Sequence, residues 1–559
     1  MGRRIRCGRG GPDFPWTADP RSSGARKFRQ NDREGVKMAD EAQNSVRPYT
    51  GDEYLESLRD GREVWAYGER VKDVTTHPAF RNNARMVARL YDALHDPERR
   101  GRLTVPTDSG NGGFTHPYYK VPRSAEDLRT GVGAMAEWAR MSYGWLGRTP
   151  DFKAAFLATL GADPQHYAPF EANAARWYRE AQEKVIFIGH GIVNPPVDRD
   201  RDVTELRDVH LSVCRETDAG LVVSGAKVVG TSAALTQYIF VANYGQVPEG
   251  AKDLSCYFMV PTNTPGVKII SRASYEYQAT VAGSPFDQPL SSRMDENDGI
   301  LVFDEVLVPW ENVFCYDVEK ANRFFTGSGF YFRSMLHGCV RLAVKLDFLT
   351  GLLTKGLDTT GAIEFRGVQT RLGELLGYRH VLWGLVDSMV HNPVVRPDGS
   401  VMPNSESALA YRMFASTVYP KIREIFFRDL GSALIYNNSH ASDWATPELR
   451  PYLDRYIRGR HGVEAIDRVK LMKLIWDSVG SDFGGRWELY EMNYAGNHEN
   501  IRIEAFQRYR ATGGLDECKA LVDACLAEYD VTGWRADDLT DPEAVVVAGP
   551  AAGRRAGKP

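Results

Sequence analysis

The spacing of hydrophobic and polar residues along the chain changes period twice. From about Arg47, apolar residues recur at helical intervals. Tyr54, Leu55 and Leu58 stand behind Thr50-Gly-Asp-Glu53, a capping-box pattern. Val87, Leu90, Tyr91 and Leu94 mark one side of a helix over about 82–96. Leu128, Val132, Met135, Trp138 and Met141 mark a longer one over about 124–145, and a further helical stretch is expected over about 152–188. After Pro196 the period falls to two: Val209, Leu211 and Val213 alternate with polar residues. Thr217-Asp-Ala-Gly220 reads as a turn into Leu221-Val-Val, and strands follow at about 227–229, 238–242, 257–260, 267–270 and 300–303. From about Gly329 the helical period returns, with helices expected at about 336–357, 364–390, 407–430, 463–480 and 514–529. Several are long and amphipathic, as a four-helix bundle needs.

The pattern predicts an α+β protein: an N-terminal helical domain over 46–196, a central antiparallel β domain over 197–315 and a C-terminal helical bundle over 316–530. Residues 1–45, rich in Arg, Gly and Pro, read as a disordered extension or a misassigned start, with Met38 the more natural N-terminus. Residues 531–559, rich in Ala, Gly, Arg and Pro, read as a loose tail.

Composition narrows the function. The 559 residues are 43% hydrophobic and 25% charged, as in ordinary globular proteins. A net charge of −4 leaves no polyanion-binding footprint, so nucleic acid is not an expected partner. No apolar run is long enough to span a bilayer, and the basic start is not followed by a signal-peptide core. The seven scattered cysteines include no CxxC pair, and their odd number fits reduced thiols in a cytoplasm. Cys518 and Cys525, two helical turns apart, read as core packing. There is no Rossmann fingerprint, HExxH or zinc-spaced Cys/His cluster, so no metal is expected. Ser109-Gly-Asn-Gly-Gly113 lacks the Lys-Ser/Thr ending of a phosphate loop and reads as a flexible loop.

Two stretches set one strong polar group among aromatic and apolar neighbours. Tyr143-Gly-Trp-Leu-Gly-Arg-Thr-Pro-Asp-Phe152 carries Arg148, and Ile188-Gly-His-Gly-Ile-Val-Asn-Pro-Pro196 carries His190. Arginine keeps its charge, and histidine titrates near neutrality. A pocket holding both could bind a weakly acidic hydroxyl, take its proton and hold the anion. Taken singly, each has a plainer reading: a surface arginine at a helix end, and a core histidine bonded to backbone.

These stretches resemble segments of the oxygenase component of 4-hydroxyphenylacetate 3-monooxygenase and its relatives, the two-component flavin-dependent phenol hydroxylases. Further segments that resemble it are 61–80, Ser271-Arg-Ala-Ser-Tyr-Glu276, Pro289-Leu-Ser-Ser-Arg-Met-Asp-Glu-Asn297, Phe365-Arg-Gly-Val-Gln369 and Asp482-Phe-Gly-Gly-Arg486, so the likeness runs from about 47 to about 530. It implies an acyl-CoA dehydrogenase-like fold, whose first β-hairpin Gly220-Leu-Val-Val-Ser-Gly-Ala-Lys227 resembles. It implies FAD, supplied as FADH2 by a separate NAD(P)H-dependent flavin reductase, with O2 as co-substrate. The expected reaction is ortho-hydroxylation of a phenol to a catechol through a flavin C4a-hydroperoxide in a site dry enough to preserve it. Arg148 is implied as phenolate stabiliser and His190 as general base or hydrogen-bond partner. The flavin is expected at His190, Val193, Pro196, Asp198, Arg199, Thr231 and Ser232. Phe483, Gly484, Gly485, Asn493 and Gly496 would border its tail, and Arg366 and Gln369 its pyrophosphate, from a neighbouring subunit of a homotetramer.

Two departures bear on substrate. Phe152 stands where phenylacetate hydroxylases carry a tyrosine, so a hydrogen bond to the phenol oxygen is lost. Tyr244-Gly245-Gln246 stands where hydroxyl side chains help hold the substrate carboxylate, leaving Gly245 and Gln246 as the substrate-facing residues. The expectation is a tyrosine-derived substrate, such as a β-tyrosine unit on a carrier protein in a biosynthetic pathway like that of the enediynes. The alternatives are a catabolic 4-hydroxyphenylacetate or chlorophenol monooxygenase and, further off, a flavin and iron–sulfur dehydratase of related fold or a non-catalytic scaffold. Cys256, Cys315 and Cys339 are not arranged for such a cluster.

Overall fold

The structure, a computed structural model, describes residues 46–494, 496–531 and 533–535. The expectations for 1–45, and for the tail beyond Arg535, lie outside the described residues.

The N-terminal segment contains α1 (Gly51–Ser57), α2 (Arg81–Ala93), α3 (Arg100–Leu103), α4 (Ala125–Met141), α5 (Pro150–Ala162) and α6 (Glu171–Lys184). The expected capping box starts α1: the Thr50 side chain accepts from the Glu53 amide, and the Glu53 carboxylate accepts from the Thr50 amide at 2.7 Å. Pro150 opens α5 at a position where its missing N–H costs nothing. Every residue from Pro150 to Leu160 is buried, so α5 passes through the interior instead of lying on the surface.

The helix expected over 152–188 is three pieces. Pro164 and Pro169 lack the N–H that an unbroken helix requires, and a 3-10 turn at Pro164–Tyr167 separates α5 from α6. Val185, in the left-handed region at φ 53°, ends α6. His190 therefore sits on a strand.

That strand is one of sixteen among the described residues: β1 (Glu63–Ala66), β2 (Glu69–Val71), β3 (Val105–Pro106), β4 (Phe114–Thr115), β5 (Ile188–Gly191), β6 (Ser212–Thr217), β7 (Gly220–Thr231), β8 (Tyr238–Val241), β9 (Cys256–Pro261), β10 (Val267–Ser271), β11 (Asp298–Pro309), β12 (Val313–Tyr316) and the short ribbons β13 (Val394–Val395) with β14 (Val401–Met402) and β15 (Tyr529–Asp530) with β16 (Gly533–Trp534). The main sheet runs β2-β1-β10-β11-β7-β6, and a second runs β12-β9-β8-β5. Pairing in both is antiparallel except β1 with β10 and β5 with β8. The N-terminal segment supplies one strand of each parallel pair, reached by the long crossovers such pairing needs. The boundary expected at 196/197 is thus crossed by both sheets, and the β layer is mixed where a purely antiparallel one was expected. The loop 109–113 closes the small ribbon of β3 and β4.

After the α-helix inserted in the β layer, α7 (Tyr275–Ala282), the helical region holds α8 (Val318–Ser328), α9 (Phe330–Thr360), α10 (Arg366–His391), α11 (Ser405–Leu430), α12 (Arg450–Tyr456), α13 (Ala465–Val479), α14 (Asp482–Asn493), α15 (His498–Ala511) and α16 (Gly514–Ala527). Central α9 buries a basic residue every fourth position: Arg333, His337, Arg341 and Lys345. Each has a partner. Arg333 donates to the Ala155 and Tyr118 carbonyls, His337 meets Asp151 at 3.2 Å, and Arg341 and Lys345 share Glu491. This seam fixes the bundle to α5 and α14.

One expectation fails here. Cys518 and Cys525 are exposed on α16, which leaves every residue after Gly514 and Leu515 facing outward in a single chain. Gly533–Trp534 pairs with Tyr529–Asp530. Among the described residues no helix is long and apolar enough to cross a membrane.

Candidate active site

Arg148 stands in the connection between α4 and α5. The chain leaves α4 through Tyr143 and Gly144, both at positive φ. Gly144 presses on α9, where a Cβ would come within 2.7 Å of the Lys345 Cα, and at Gly147 a Cβ would overlap the Tyr490 hydroxyl. Between them Trp145 is buried against Phe348, Phe483 and Trp487. The Arg148 amide donates to Glu296 Oε1 at 2.6 Å, and the Gly147 amide also faces that carboxylate. The second Glu296 oxygen lies 3.8 Å from Arg486 Nη1. Burial pushes the Glu296 carboxyl up, while Arg486 and the two amides oppose it. Glu296 thus fixes the backbone from which the Arg148 side chain projects.

The Arg148 guanidinium itself has no anionic partner among the described residues. It lies against three rings, 4.1 Å from the Phe152 centroid, 4.7 Å from Tyr494 and 5.2 Å from Tyr490. Its Nε and Nη1 are buried without a hydrogen-bond acceptor. A buried cation lacking its anion is costly, which marks the place as one that a ligand completes. Glu296→Ala should free the Gly147–Arg148 amides and let the guanidinium drift, lowering turnover about tenfold to a hundredfold with the fold retained. Steady-state rates beside circular dichroism check this; unchanged turnover would show that Glu296 does not set the position.

His190 projects from β5, opposite Phe240 of β8. It is 7% exposed, and its ring meets Phe152 edge-on at 6.0 Å. Burial first, then the charges of Lys153 and Arg148, hold its pKa well below the usual histidine value. The imidazole is therefore neutral at working pH, able to accept one hydrogen bond and donate another. Phe152 lies at the centre, its ring also touching those of His337 at 5.5 Å and Tyr494 at 6.0 Å.

The other sequence-derived positions divide. Thr231 and Ser232 are buried at the end of β7; the Thr231 hydroxyl donates to Asp298 at 2.7 Å, and the Ser232 amide to the Asn297 carbonyl. Asp298 also holds Arg486 and Arg272, so this corner is tied to the Glu296 anchor. Val193 pairs by backbone with Val228, and Pro196, Asp198 and Arg199 are exposed beyond it. Gly496, at φ +106°, comes against the loop that carries Gly245: a Cβ there would lie 2.6 Å from the Tyr244 hydroxyl. Gly245 has open space where a side chain would be, and Gln246 is exposed beside it. Phe483 and Gly484 face inward, the glycine required by close approach to the Ser478 carbonyl, whereas Gly485 borders open space. Asn493 donates to the Leu489 carbonyl at the end of α14. Arg366 and Gln369 lie on the exposed first turn of α10, away from these contacts in the single chain; the Gln369 amide donates to Ile363. The open faces at Gly485 and Gly245, the polar corner at Thr231 and Ser232, and the Arg148 guanidinium with its Nε and Nη1 unpaired fit a flavin with a phenol beside it.

Sequence reasoning passed over Lys153, Tyr490, Tyr494, Glu296, Arg486 and His337. Glu296 and Arg486 lie inside segments already singled out, and Tyr494 is flanked by two named residues. Lys153 and His337 gave no signal: Lys153 lies in a helix with no polar face, and His337 reads as the polar face of one.

Residues 50–315 match the family described as 4-hydroxyphenylacetate 3-hydroxylase N terminal, and residues 321–523 match 4-hydroxyphenylacetate 3-hydroxylase C terminal. The chain is 58% identical over 496 residues to the oxygenase component of a 4-nitrophenol 2-monooxygenase from Rhodococcus sp, covering 89% of this chain and 95% of the relative. It is 54% identical over 495 residues to a Streptomyces globisporus monooxygenase of (3S)-3-amino-3-(3-chloro-4-hydroxyphenyl)propanoyl units on the peptidyl-carrier protein SgcC2, covering 88% and 94%. Among solved structures, the oxygenase component HpaB of 4-hydroxyphenylacetate 3-monooxygenase, complexed with FAD and 4-hydroxyphenylacetate, superimposes with a TM-score of 0.80 at 30% identity, covering 86% of this chain and 99% of that one.

Proposed function

The chain belongs to the 4-hydroxyphenylacetate 3-hydroxylase family, and from that premise we propose that it is the oxygenase component of a two-component monooxygenase that hydroxylates a phenol ortho to its hydroxyl. Reduced FAD, delivered by a separate reductase, supplies the electrons that activate O2. The rest of the task falls to this chain's side chains.

The observation that carries the reading is the half-buried Arg148 guanidinium, laid against three rings with its Nε and Nη1 covered and without an acceptor. A free phenol has a pKa of about 10 and is a weak carbon nucleophile; a fixed cation beside its oxygen lowers that value by about one to three units. Arg148 would hold the phenolate oxygen, and neutral His190 would accept the hydroxyl proton in hydrogen bonding. Phe152 and Tyr494 would wall the ring and exclude water. Thr231, Ser232 and the backbone around Val193 would border the flavin ring.

For the substrate we infer a tyrosine-derived phenol held on a carrier protein. Gly245 and Gln246 offer no cation or hydroxyl to a free carboxylate, and Gly245 leaves room for a tether. The Streptomyces relative acts on a carrier-bound β-amino acid. A free small phenol is the second reading, favoured by the Rhodococcus relative, which acts on 4-nitrophenol. We also read the enzyme as a homotetramer, as its family resemblance implies; exposed Phe365 and Leu521 are apolar side chains that neighbouring subunits would cover.

The test is an aerobic assay with FAD, NADH and a general flavin reductase. Offered carrier-bound β-tyrosine, free β-tyrosine, 4-hydroxyphenylacetate, 4-nitrophenol and a chlorophenol, the enzyme should add one oxygen to the carrier-bound substrate fastest. Turnover of the free phenols alone would replace the biosynthetic reading with a catabolic one. Phe152→Tyr should keep activity within about fivefold, since one added hydroxyl facing a polar partner is worth about a kcal/mol. Loss of all activity in that variant would mean that the pocket is not the phenol site.

A further inference from the structure

Next to Phe152, α5 carries a lysine that the reading above leaves without a task. Lys153 is 1% exposed, and its Nζ has no hydrogen-bond partner and no carboxylate within ion-pair reach among the described residues. The amine is ringed by Phe152 at 4.7 Å, Phe330 of α9 at 5.1 Å and Phe240 of β8 at 5.9 Å. Phe152 is the ring on which Arg148 rests, and Phe240 is the residue opposite His190. The neighbouring acid, Asp151, is already engaged by Thr149 at 2.5 Å and His337 at 3.2 Å. The charged or titratable groups facing Lys153 are Arg148 from the α4–α5 connection and His190 from β5, while α9 and β8 present Phe330 and Phe240. Arg148, Lys153 and His190 thus meet around the Phe152 ring with no carboxylate among the described residues in ion-pair reach of any of them, while the fourth basic group there, His337, is paired with Asp151.

A lysine so placed is a poor structural choice. A methionine or leucine would fill the same space without burying an amine. Burial and the Arg148 charge hold Lys153 well below the usual lysine range, towards the neutral amine, the form in which lysine acts as a base. His190 is held low by the same causes, and an imidazole is intrinsically a weaker base than an amine.

We propose that Lys153 is the proton acceptor of the site, the buried amine on which the proton of a bound phenol comes to rest, with His190 as its relay. This rests on the phenol-hydroxylating reading and assigns the proton within it. The phenol O–H bond breaks; His190 accepts that proton on one ring nitrogen and releases another from its second; an N–H bond forms on Lys153. The phenolate stays on Arg148. The transfer needs no oxidant, and the site gains a cation–anion pair in place of two neutral groups.

The full-length enzyme with oxidised FAD and no reductant tests this without turnover, using 4-nitrophenol, whose phenolate alone is yellow. Titrated with pH, the wild-type complex should show the phenolate band emerging well below the pH at which free 4-nitrophenol ionises. Lys153→Met should move that transition up by about one pH unit or more. Melting of Lys153→Met should be at or above the wild-type temperature, because a buried amine has been replaced by an apolar chain. In weak buffer at alkaline pH, wild type should take up a proton for each phenolate bound, and Lys153→Met should not. The uptake is read on wild type first, so a variant that failed to fold would not remove the test. A Lys153→Met titration identical to wild type, or no proton uptake by wild type, would overturn the proposal while leaving the phenol site standing. A wild-type enzyme that binds no 4-nitrophenolate and no carrier-bound phenol would overturn the site reading and the proposal with it.

Discussion

Arg148→Ala should lower hydroxylation about a hundredfold or more while reduced FAD is still oxidised by O2, so that product gives way to hydrogen peroxide. The guanidinium is a fixed charge laid against Phe152, Tyr490 and Tyr494, and its Nε and Nη1 have no acceptor among the described residues. Without it a phenol stays protonated at neutral pH, and its ortho carbon is a far weaker nucleophile. Flavin oxidation does not depend on that carbon, so the loss falls on coupling. Arg148→Lys should recover only part of the activity, because an ammonium cannot stack flat against Phe152 and Tyr494 as the planar group does. The check is the ratio of catechol to peroxide formed per NADH consumed. Hydroxylation at the wild-type rate in Arg148→Ala would remove this residue from the mechanism.

The largest loss of stability should come from Glu491→Ala. Glu491 accepts from Arg341 at 2.6 and 2.7 Å and from Lys345 at 2.6 Å, and all three side chains are buried. Removing the carboxylate strands two cations on α9, which should cost about 3–5 kcal/mol, read by urea unfolding. The same pairing, opposed by burial, holds the Glu491 pKa down at about 2. Its folded value lies below the unfolded carboxylate value of about 4.3, so its stabilisation is complete above that pH and fades as pH falls towards 2. The variant should therefore differ most from wild type near neutrality and least in acid. Wild-type stability in Glu491→Ala at neutral pH would contradict the seam described along α9.

The helices legible in the sequence are those with one apolar face. The long bundle helices α10 and α11 keep one face inward, so their period survives, and their ends fall within two residues of the expected ones. Strand β5 was not legible. Val185-Ile-Phe-Ile188 is apolar whichever way it is folded, and the left-handed Val185 and the distant partner Tyr238–Val241 decide it. Helix α14 was not expected: Phe483-Gly-Gly485 opens it with poor helix formers, and the Ser481 hydroxyl accepting from the Gly484 amide starts it. The seam of Arg333, His337, Arg341 and Lys345 was hidden for the opposite reason. Polar residues every fourth position look like a solvated face, and only partners far along the chain show that this face is buried.

In the site, Arg148 and His190 stood out through family resemblance, since alone each also fits a surface or core role. Lys153 escaped because α5 is buried on all sides, so its polar positions have no solvent face to belong to. Glu296 escaped because its work is done on backbone amides, which leave no trace in side-chain spacing.

The most direct test of the central claim is a single turnover. Enzyme carrying FAD reduced in the absence of air is mixed with carrier-bound β-tyrosine, or with 4-nitrophenol, and then with isotopically heavy oxygen gas. The account predicts a catechol carrying one heavy oxygen ortho to the original hydroxyl, formed in proportion to the reduced flavin, with Arg148→Ala giving peroxide in its place. Peroxide alone from the wild-type enzyme with every phenol tried, or a hydroxyl drawn from water, would contradict it.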